Sequence, residues 1–354
     1  MTNNLQTRKI KTVLIPVTGA LLFTAALAPW STLAQTPTVP STFADPAFQT
    51  TWNRTDKPVT DGTVRRGYYW GPAPAEKKQE QYAEGVGGSR LVQYFDKSRM
   101  EINDPAGNNS STFYVTNGLL TVELVSGNLQ VGNNKYIKRF PAEIALASDN
   151  DDATAPTYAS FSKLLGAVTD KTDETATTTI DRAGKTAEDA SLGNTAGAKF
   201  VRFDSTTKHN VPEAFWTFLN SKGPVIERGA VVNTQISNPW FYASGLPISE
   251  PYWAKVKIAN QADTLVLIQL YERRVLTYVP SAQEAFRVQV GNIGRHYYDW
   301  RYNNAGKPVP TATPTRSGPI PTATHAPTLP PTGLSVFAAS SLQESFTEAG
   351  NNFK

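Results

Sequence analysis

Apolar and polar positions alternate in short bursts along the middle of this chain. Leu91-Val92-Gln93-Tyr94-Phe95 and the run 265–271 are rich in β-favouring residues and bounded by charges, which predicts strands. The second run is almost continuously apolar, as a strand buried on both faces requires. After a charged step, 275–279 continues in β-favouring residues. Phe286-Arg287-Val288-Gln289-Val290 alternates strictly, which predicts a half-buried strand, and Gly291 then suits a tight turn. Helical patterning is brief. Short aromatic helices are predicted around 48–52 and 212–220, where Pro212 before Glu213 fits a first turn. Residues 156–168 place Tyr158, Phe161, Leu164, Leu165 and Val168 at helical spacing, which predicts an amphipathic helix. Residues 169–198 are polar and threonine-rich, and an exposed, mobile loop is expected there. Short strands and small helices without alternating βαβ units give an α+β fold class.

The pattern also repeats itself. Phe48-x-x-x-Trp52-Asn53 followed by Pro58-Val59 recurs as Phe215-x-x-x-Leu219-Asn220 followed by Pro224-Val225. Gly71-Pro72 corresponds to Gly245-Leu246-Pro247. Leu91-Val92-Gln93-Tyr94-Phe95-Asp96-Lys97 corresponds to Leu267-Ile268-Gln269-Leu270-Tyr271-Glu272-Arg273. Val115-x-x-Gly118-x-Leu120 corresponds to Val288-x-x-Gly291-x-Ile293. Four correspondences in one order predict a duplicated module at 48–302. Its copies lie at about 48–124 and 212–298, with an insert at 145–200.

Composition adds limits. The chain has 354 residues, 40% hydrophobic and 18% charged, which is globular and leaves room for one large domain or two modest ones. The formal charge of +4 is concentrated at the start. Without Arg8, Lys9 and Lys11, the 34 basic residues fall to 31 against 30 acidic ones. No basic footprint for nucleic acid remains. There are no cysteines, which excludes disulfides, cysteine–zinc sites, thiol catalysis and a lipoprotein anchor.

Arg8, Lys9 and Lys11 precede a mostly apolar stretch at 12–29, and Thr32-Leu33-Ala34 before Gln35 is a cleavage-site pattern. Residues 1–34 therefore read as a cleaved signal peptide, and the product as secreted or extracytoplasmic. An uncleaved membrane anchor is the alternative, but Pro16, Thr18, Gly19 and Thr24 interrupt a run already at the lower limit for spanning. Residues 35–47 read as a disordered lead-in. A Pro/Thr-rich linker at 303–333 cannot bury a core and predicts an extended spacer.

Beyond it, Val336-Phe337-Ala338-Ala339-Ser340-Ser341-Leu342, then Phe346 and Phe353, predict a strand and a helix, with Ser341 and Glu344 as a capping box. Backbone N–H groups at such a helix start suit an anion. This stretch resembles the mature start of the molybdate-binding proteins of ABC importers, which are type II periplasmic solute-binding proteins. The resemblance implies that Ser341 donates to an oxyanion such as molybdate and that an ABC importer permease is the partner. It covers only 334–354, an isolated strand–helix unit, so the chain is expected to be a molybdate-type solute-binding protein carried on an extracellular module and truncated soon after its binding domain begins; the alternative is a cell-surface adhesion or glycan-binding module with no transport role.

"VQYFDKSRMEI", "GLPISEPYW" and "YERRVLTYVP" resemble a module of secreted bacterial multidomain proteins, which implies location and modularity but no chemistry. Catalytic candidates are sparse. His209 and His296 lie in the module and His325 in the linker; neither a metal site nor a cofactor is predicted, and His296 reads as partly buried among aromatics. Asp149-Asn150-Asp151-Asp152 lacks the glycine and downstream glutamate of a calcium loop and reads as a solvated turn. Asp96 and Glu272, beside Lys97 and Arg273, read as turn or ion-pair residues. Gly85-Val86-Gly87-Gly88 lacks the lysine and helix of a phosphate loop. The aromatic clusters leave Trp70, Trp240, Trp253 and Trp300 as candidates for stacking on cell-wall glycan. A non-enzymatic role is expected throughout.

Overall fold

A computed structural model describes residues 42–303. The predicted leader, the linker beyond Asn303, and 334–354 with Ser341 lie outside the described residues, as does His325.

The helix α1 (Pro46–Thr55) begins where the Asp45 carboxylate accepts from the Ala47 N–H at 2.7 Å, with proline in its first turn. A single turn, α2 (Lys57–Thr60), follows. Strands β1 (Lys77–Gln81), β2 (Ser89–Phe95), β3 (Ser98–Ile102) and β4 (Thr116–Asn117) form an antiparallel meander in sequence order. Helix α3 (Leu120–Ser126) closes this unit and stops at Gly127, in the left-handed region at φ 69°. A β5 (Asn128–Gly132)–β6 (Lys135–Lys138) hairpin comes next, then β7 (Thr178–Ile180), β8 (Thr186–Glu188), β9 (Phe200–Asp204) and β10 (His209–Pro212). Helix α4 (Glu213–Leu219) and the hairpin β11 (Lys222–Glu227)–β12 (Ala230–Gln235) lead to β13 (Tyr252–Ile258), β14 (Gln261–Leu270), β15 (Val275–Tyr278) and β16 (Val288–Val290). Helix α5 (Ile293–Tyr302) ends the described chain. The second sheet has the order β16-β15-β14-β13-β7-β8. The class is mixed α+β.

Two stretches each contain a leading helix, a four-strand meander and a closing helix, with the β11–β12 hairpin inserted after α4 in the second, and the meanders agree in register. Met100 faces Asn117 and Glu101 faces Thr116; Leu276 faces Val290 and Thr277 faces Gln289. Lys97 N donates to Trp70 O, and Arg273 N to Ser244 O, each at 2.9 Å. Gly71 and Gly245 both have positive φ, and a Cβ there would press on Asp96 and Glu272 respectively. The buried amides of Gln93 and Gln269 do the same work. Gln93 Nε2 reaches Ala75 O and Thr42 O at 3.3 Å; Gln269 Nε2 reaches Ser249 O at 3.0 Å and Asn210 O at 2.8 Å.

Each sheet has an outer face under its leading helix. Phe48, Trp52, Phe95, Met100 and Ile102 make one outer cluster; Phe215, Leu219, Tyr271, Leu276 and Tyr278 make the other. The inner faces share one central cluster with α3 and α5, including Tyr94, Leu120, Leu124, Ile268, Leu270, Ile293 and Trp300. The closing helices reach across. Helix α5 packs on β2 and β3. Arg295 N meets Asp96 O at 3.3 Å, and Val122 N meets Glu272 O at 3.4 Å. The hairpin-tip cations cross in the same way: Lys97 Nζ donates to Val290 O at 2.6 Å, and Arg273 Nη1 donates to Asn117 O.

Three sequence expectations need correction. The helix predicted at 156–168 is one 3-10 turn, Tyr158–Phe161, capped by Thr157 and Ser160. Ser160 turns its hydroxyl to Arg182 O at 2.6 Å, and Val168 N is taken by Lys208 O, so the backbone leaves the helix. Residues 169–198 are not a loose loop. They supply β7 and β8, and β7 pairs in parallel with β13 through Thr179 and Trp253. Few apolar side chains were needed, because covering a strand edge uses backbone groups. The end of the predicted lead-in is packed as well, with Phe43 at 5.6 Å from the Trp52 ring.

Candidate functional site

Two cavities open between the halves. The first, about 730 Å³, lies between α1, the loop 109–115, the ends of β11 and β12, and the wall Tyr69-Trp70-Tyr242. Asp56 builds that wall. Its buried carboxylate accepts from Tyr69 N, Trp70 N and Gly71 N at 2.8, 2.6 and 2.9 Å, and Trp52 Nε1 holds Gly71 O at 2.8 Å. Burial raises the Asp56 carboxyl above its ordinary value, against the three N–H groups and the charge of Arg274.

Arg274 lies fully buried behind this wall, its guanidinium 4.2 Å from the Tyr69 ring centre and 4.7 Å from Trp70. None of its three nitrogens has a hydrogen-bond partner among the described residues, nor do Thr55 Oγ1 and Trp70 Nε1. Burial pulls its pKa down. Around the opening stand Thr50, Thr51, Asn109, Ser111, Thr112, Ser237 and Asn238, with Asp45 and Glu227. Aromatic faces beside hydroxyl, amide and carboxylate groups suit a polyhydroxylated ligand.

The second cavity, about 610 Å³, shares Tyr69 and Ile236 with the first. Residues 64–69, Lys97, Phe218, 221–224 and Phe286 line it together with β16. Burial lowers the Lys97 pKa to about 8, with Arg274 adding to the effect and Asp96 and Asp56 opposing it.

A third polar feature is closed to solvent. On the inner face of the first sheet, Arg99 Nη1 meets Glu80 at 2.9 Å and its other nitrogens meet Glu101. Arg90 meets Glu101 at 2.8 Å, and Arg301 of α5 meets Glu80 at 3.1 Å. Tyr94 and Tyr302 hydroxyls donate to Glu80 at 2.5 and 2.7 Å. Tyr297 donates to Glu123 at 2.6 Å. Burial alone would raise Glu80 and Glu101, but their arginines outweigh it and hold both carboxyls below the ordinary range. At Glu123 burial outweighs the pull of Arg99, Tyr297 and the Gln130 N–H and raises the carboxyl above its ordinary range.

The sequence candidates fall in different places. Trp70, Trp253 and Trp300 are buried and have no free face for a sugar, so they are corrected to core residues. Trp253 Nε1 is spent on Ala176 O and Trp300 Nε1 on Phe140 O. Trp70 still contributes to the first cavity's wall. Trp240 is half-buried, edge-on to Trp216 at 5.3 Å. His296 is partly buried and bonded to Tyr158 Oη at 2.9 Å; burial lowers it to about 4. His209 is buried, with Nδ1 3.4 Å from Glu250. The acidic run is a latch rather than a solvated turn: Asp152 accepts from Lys257 N at 2.7 Å, and Asp149 from Ala259 N and Asn260 N. Asp96 pairs with Arg295 at 2.6 Å, and Glu272 accepts from Leu246 N at 3.1 Å, both at turns. Gly85-Val86-Gly87-Gly88 is the β1–β2 connection. Ser341 lies outside the described residues. The buried ions went unseen, although Arg99 and Glu101, two apart on one strand, could have signalled a shared charged face.

Among the described residues no group of three potential metal ligands occurs, and no helix is long and apolar enough to cross a membrane. No family model matches the chain, and neither a curated protein nor a solved structure shows significant similarity to it.

Proposed function

We propose that residues 46–302 are a duplicated, non-enzymatic binding module of a secreted protein, and that the first cavity takes cell-wall glycan. The observation that carries this reading is the lining of that cavity: Tyr69 and Tyr242, backed by the buried Trp70, on one side, with hydroxyls, amides and two carboxylates on the other. The glycan reading thereby moves from four separate tryptophans to one concave site. Shared register and crossed hairpin contacts in the two halves support the duplication. The non-enzymatic reading is supported by the roles of the module's histidines and buried acids, which are engaged by neighbouring side chains and backbone.

The full chain should be retained on peptidoglycan or a wall polysaccharide. Thr112→Trp, which fills the cavity from an exposed loop, should abolish retention and leave the circular dichroism unchanged. Failure of the parent chain to bind any of these polymers would remove the reading.

The molybdate-type reading of 334–354 stands beside this as a separate proposal. Ser341 would be the oxyanion donor and an importer permease the partner. It rests on the wording of that stretch alone. Calorimetry of the full chain with molybdate should show no tight uptake, since one donor is a single corner of such a site. Tight uptake would mean that other residues complete it.

A further inference from the structure

The second cavity has an unbalanced lining. Arg65, Arg66, Lys97 and Lys222 contribute to it and no carboxylate does. The acids whose charge reaches Lys97 are already engaged: Asp96 by Arg295 at 2.6 Å, Asp56 by three backbone N–H groups. Lys97 Nζ uses two of its donors, on Val290 O at 2.6 Å and Asn292 Oδ1 at 3.3 Å. Its third proton has no acceptor among the described residues. Arg66 spends its terminal nitrogens on Pro224 O at 2.9 Å and Thr55 O at 2.7 Å, while its buried Nε has no partner. Arg65 and Lys222 are exposed and belong to no ion pair among the described residues. Uncompensated cations that converge on a concave, partly dry space raise the local concentration of anions. An unmet buried donor adds a specific demand for an acceptor.

The rest of the lining is apolar. Tyr68, Phe218, Phe286 and Val288 provide surface for a hydrocarbon body. The volume, about 610 Å³, is that of a small-molecule site. A bare inorganic anion would leave these walls unused, and a neutral apolar molecule would leave the cations unmet.

We infer that this cavity binds a small amphipathic anion, an aromatic or aliphatic body bearing one carboxylate, sulfonate or phosphate head, with the head toward Lys97 and Arg66. The site draws Tyr68 and Lys97 from the first half and Phe218, Phe286 and β16 from the second, so it exists only when the halves are joined. It is independent of the glycan reading of the first cavity.

The test uses the full chain and two fluorescent probes of similar body, anionic 8-anilinonaphthalene-1-sulfonate and uncharged N-phenyl-1-naphthylamine. The sulfonate should bind saturably. Decanoate should displace it, whereas decanol and inorganic sulfate at equal concentration should not. Arg65→Glu with Lys222→Glu reverses the exposed charges and disturbs no hydrogen bond named above. This variant should bind the sulfonate about ten-fold more weakly and the uncharged probe within about two-fold of the parent. Lys97→Met should weaken the sulfonate further; if that variant fails to fold, the double reversal still decides. Equal losses for both probes, an unchanged sulfonate affinity on charge reversal, displacement by sulfate alone, or no saturable binding would each overturn the proposal.

Discussion

The inner faces of the two sheets share one hydrogen-bond frame and hold opposite contents. In the first half, the frame carries Glu80, Arg90, Arg99 and Glu101. The positions in the same register of the second half are Ala254, Val266, Val275 and Thr277. Arg274 reverses the contrast at the seam. Its counterpart Ser98 is small and bonded to Asn117 Oδ1 at 3.0 Å, whereas Arg274 is large, lies against the Tyr69 and Trp70 rings and has no hydrogen-bond partner among the described residues. Backbone geometry in this molecule therefore does not dictate the chemistry of the interior. A buried ion cluster gains little over hydrocarbon in net stability, because desolvation offsets its Coulombic attraction. What it adds is a demand for specific partners, and here the partners come from β1, β2, β3 and the far helix α5.

The contrast is most easily broken at Arg99. Arg99→Met removes the cation that Glu80 and Glu101 share, leaving two buried carboxylates with one arginine each, and should cost about 3–5 kcal/mol, read as a fall in the urea midpoint. A loss below about 1 kcal/mol would mean that water reaches the cluster and that the halves differ less than their contents suggest.

Acid should separate the contributions next. His296 titrates at about 4 in the fold against about 6.5 unfolded, so its share of stability is complete above 6.5 and is lost as pH falls toward 4. That share is on the order of 3 kcal/mol. Asp56 and Glu123, raised in the fold, work in the opposite sense and soften the slope. Glu80 and Glu101, lowered in the fold, add a further loss only below their unfolded value of about 4.3. Urea midpoints from pH 7 to 3 check this, and His296→Phe should flatten the upper window alone.

The shared frame itself is sharpened by Gln93→Leu and Gln269→Leu. Each leaves two backbone carbonyls without a donor and one donor, Ala44 N or the Tyr271 hydroxyl, without an acceptor, and should cost about 1–3 kcal/mol, by similar amounts in thermal melts. A large inequality would show that the two frames are not equivalent under load. The smallest effect belongs to Glu123→Gln. Burial already disfavours the charged form, so the neutral amide should change stability at pH 7 by less than about 1 kcal/mol.

Much of the frame was legible in the sequence because it follows from local rules. Gly71 and Gly245 mark turns, the runs at 91–95 and 265–271 mark strands, and Pro212 marks a helix start; all fall where the elements lie. The contents were less legible. Lys77–Gln81 contains no apolar residue, yet Glu80 within it is buried, because Arg99 from another strand, Arg301 from a distant helix and the hydroxyls of Tyr94 and Tyr302 surround it. Such partners are hidden from any one-dimensional pattern. Thr178–Ile180 is equally silent, since its place beside β13 depends on an open edge rather than on its own side chains. The cavities escaped for a related reason: Tyr69, Lys97 and Phe286 are far apart in the chain and meet only after the halves close.

Both ends of the described chain are fastened to one hairpin. Gln93 of β2 holds Thr42 O and Ala44 N, and Glu80 of β1 holds the Tyr302 hydroxyl at 2.7 Å. A pull applied at residues 42 and 303 would therefore pass through β1 and β2 and out again, leaving the second sheet slack. The unit would behave as a clasp: under tension the first half bears the strain, and the second half with its hydrocarbon interior stays folded until the clasp opens.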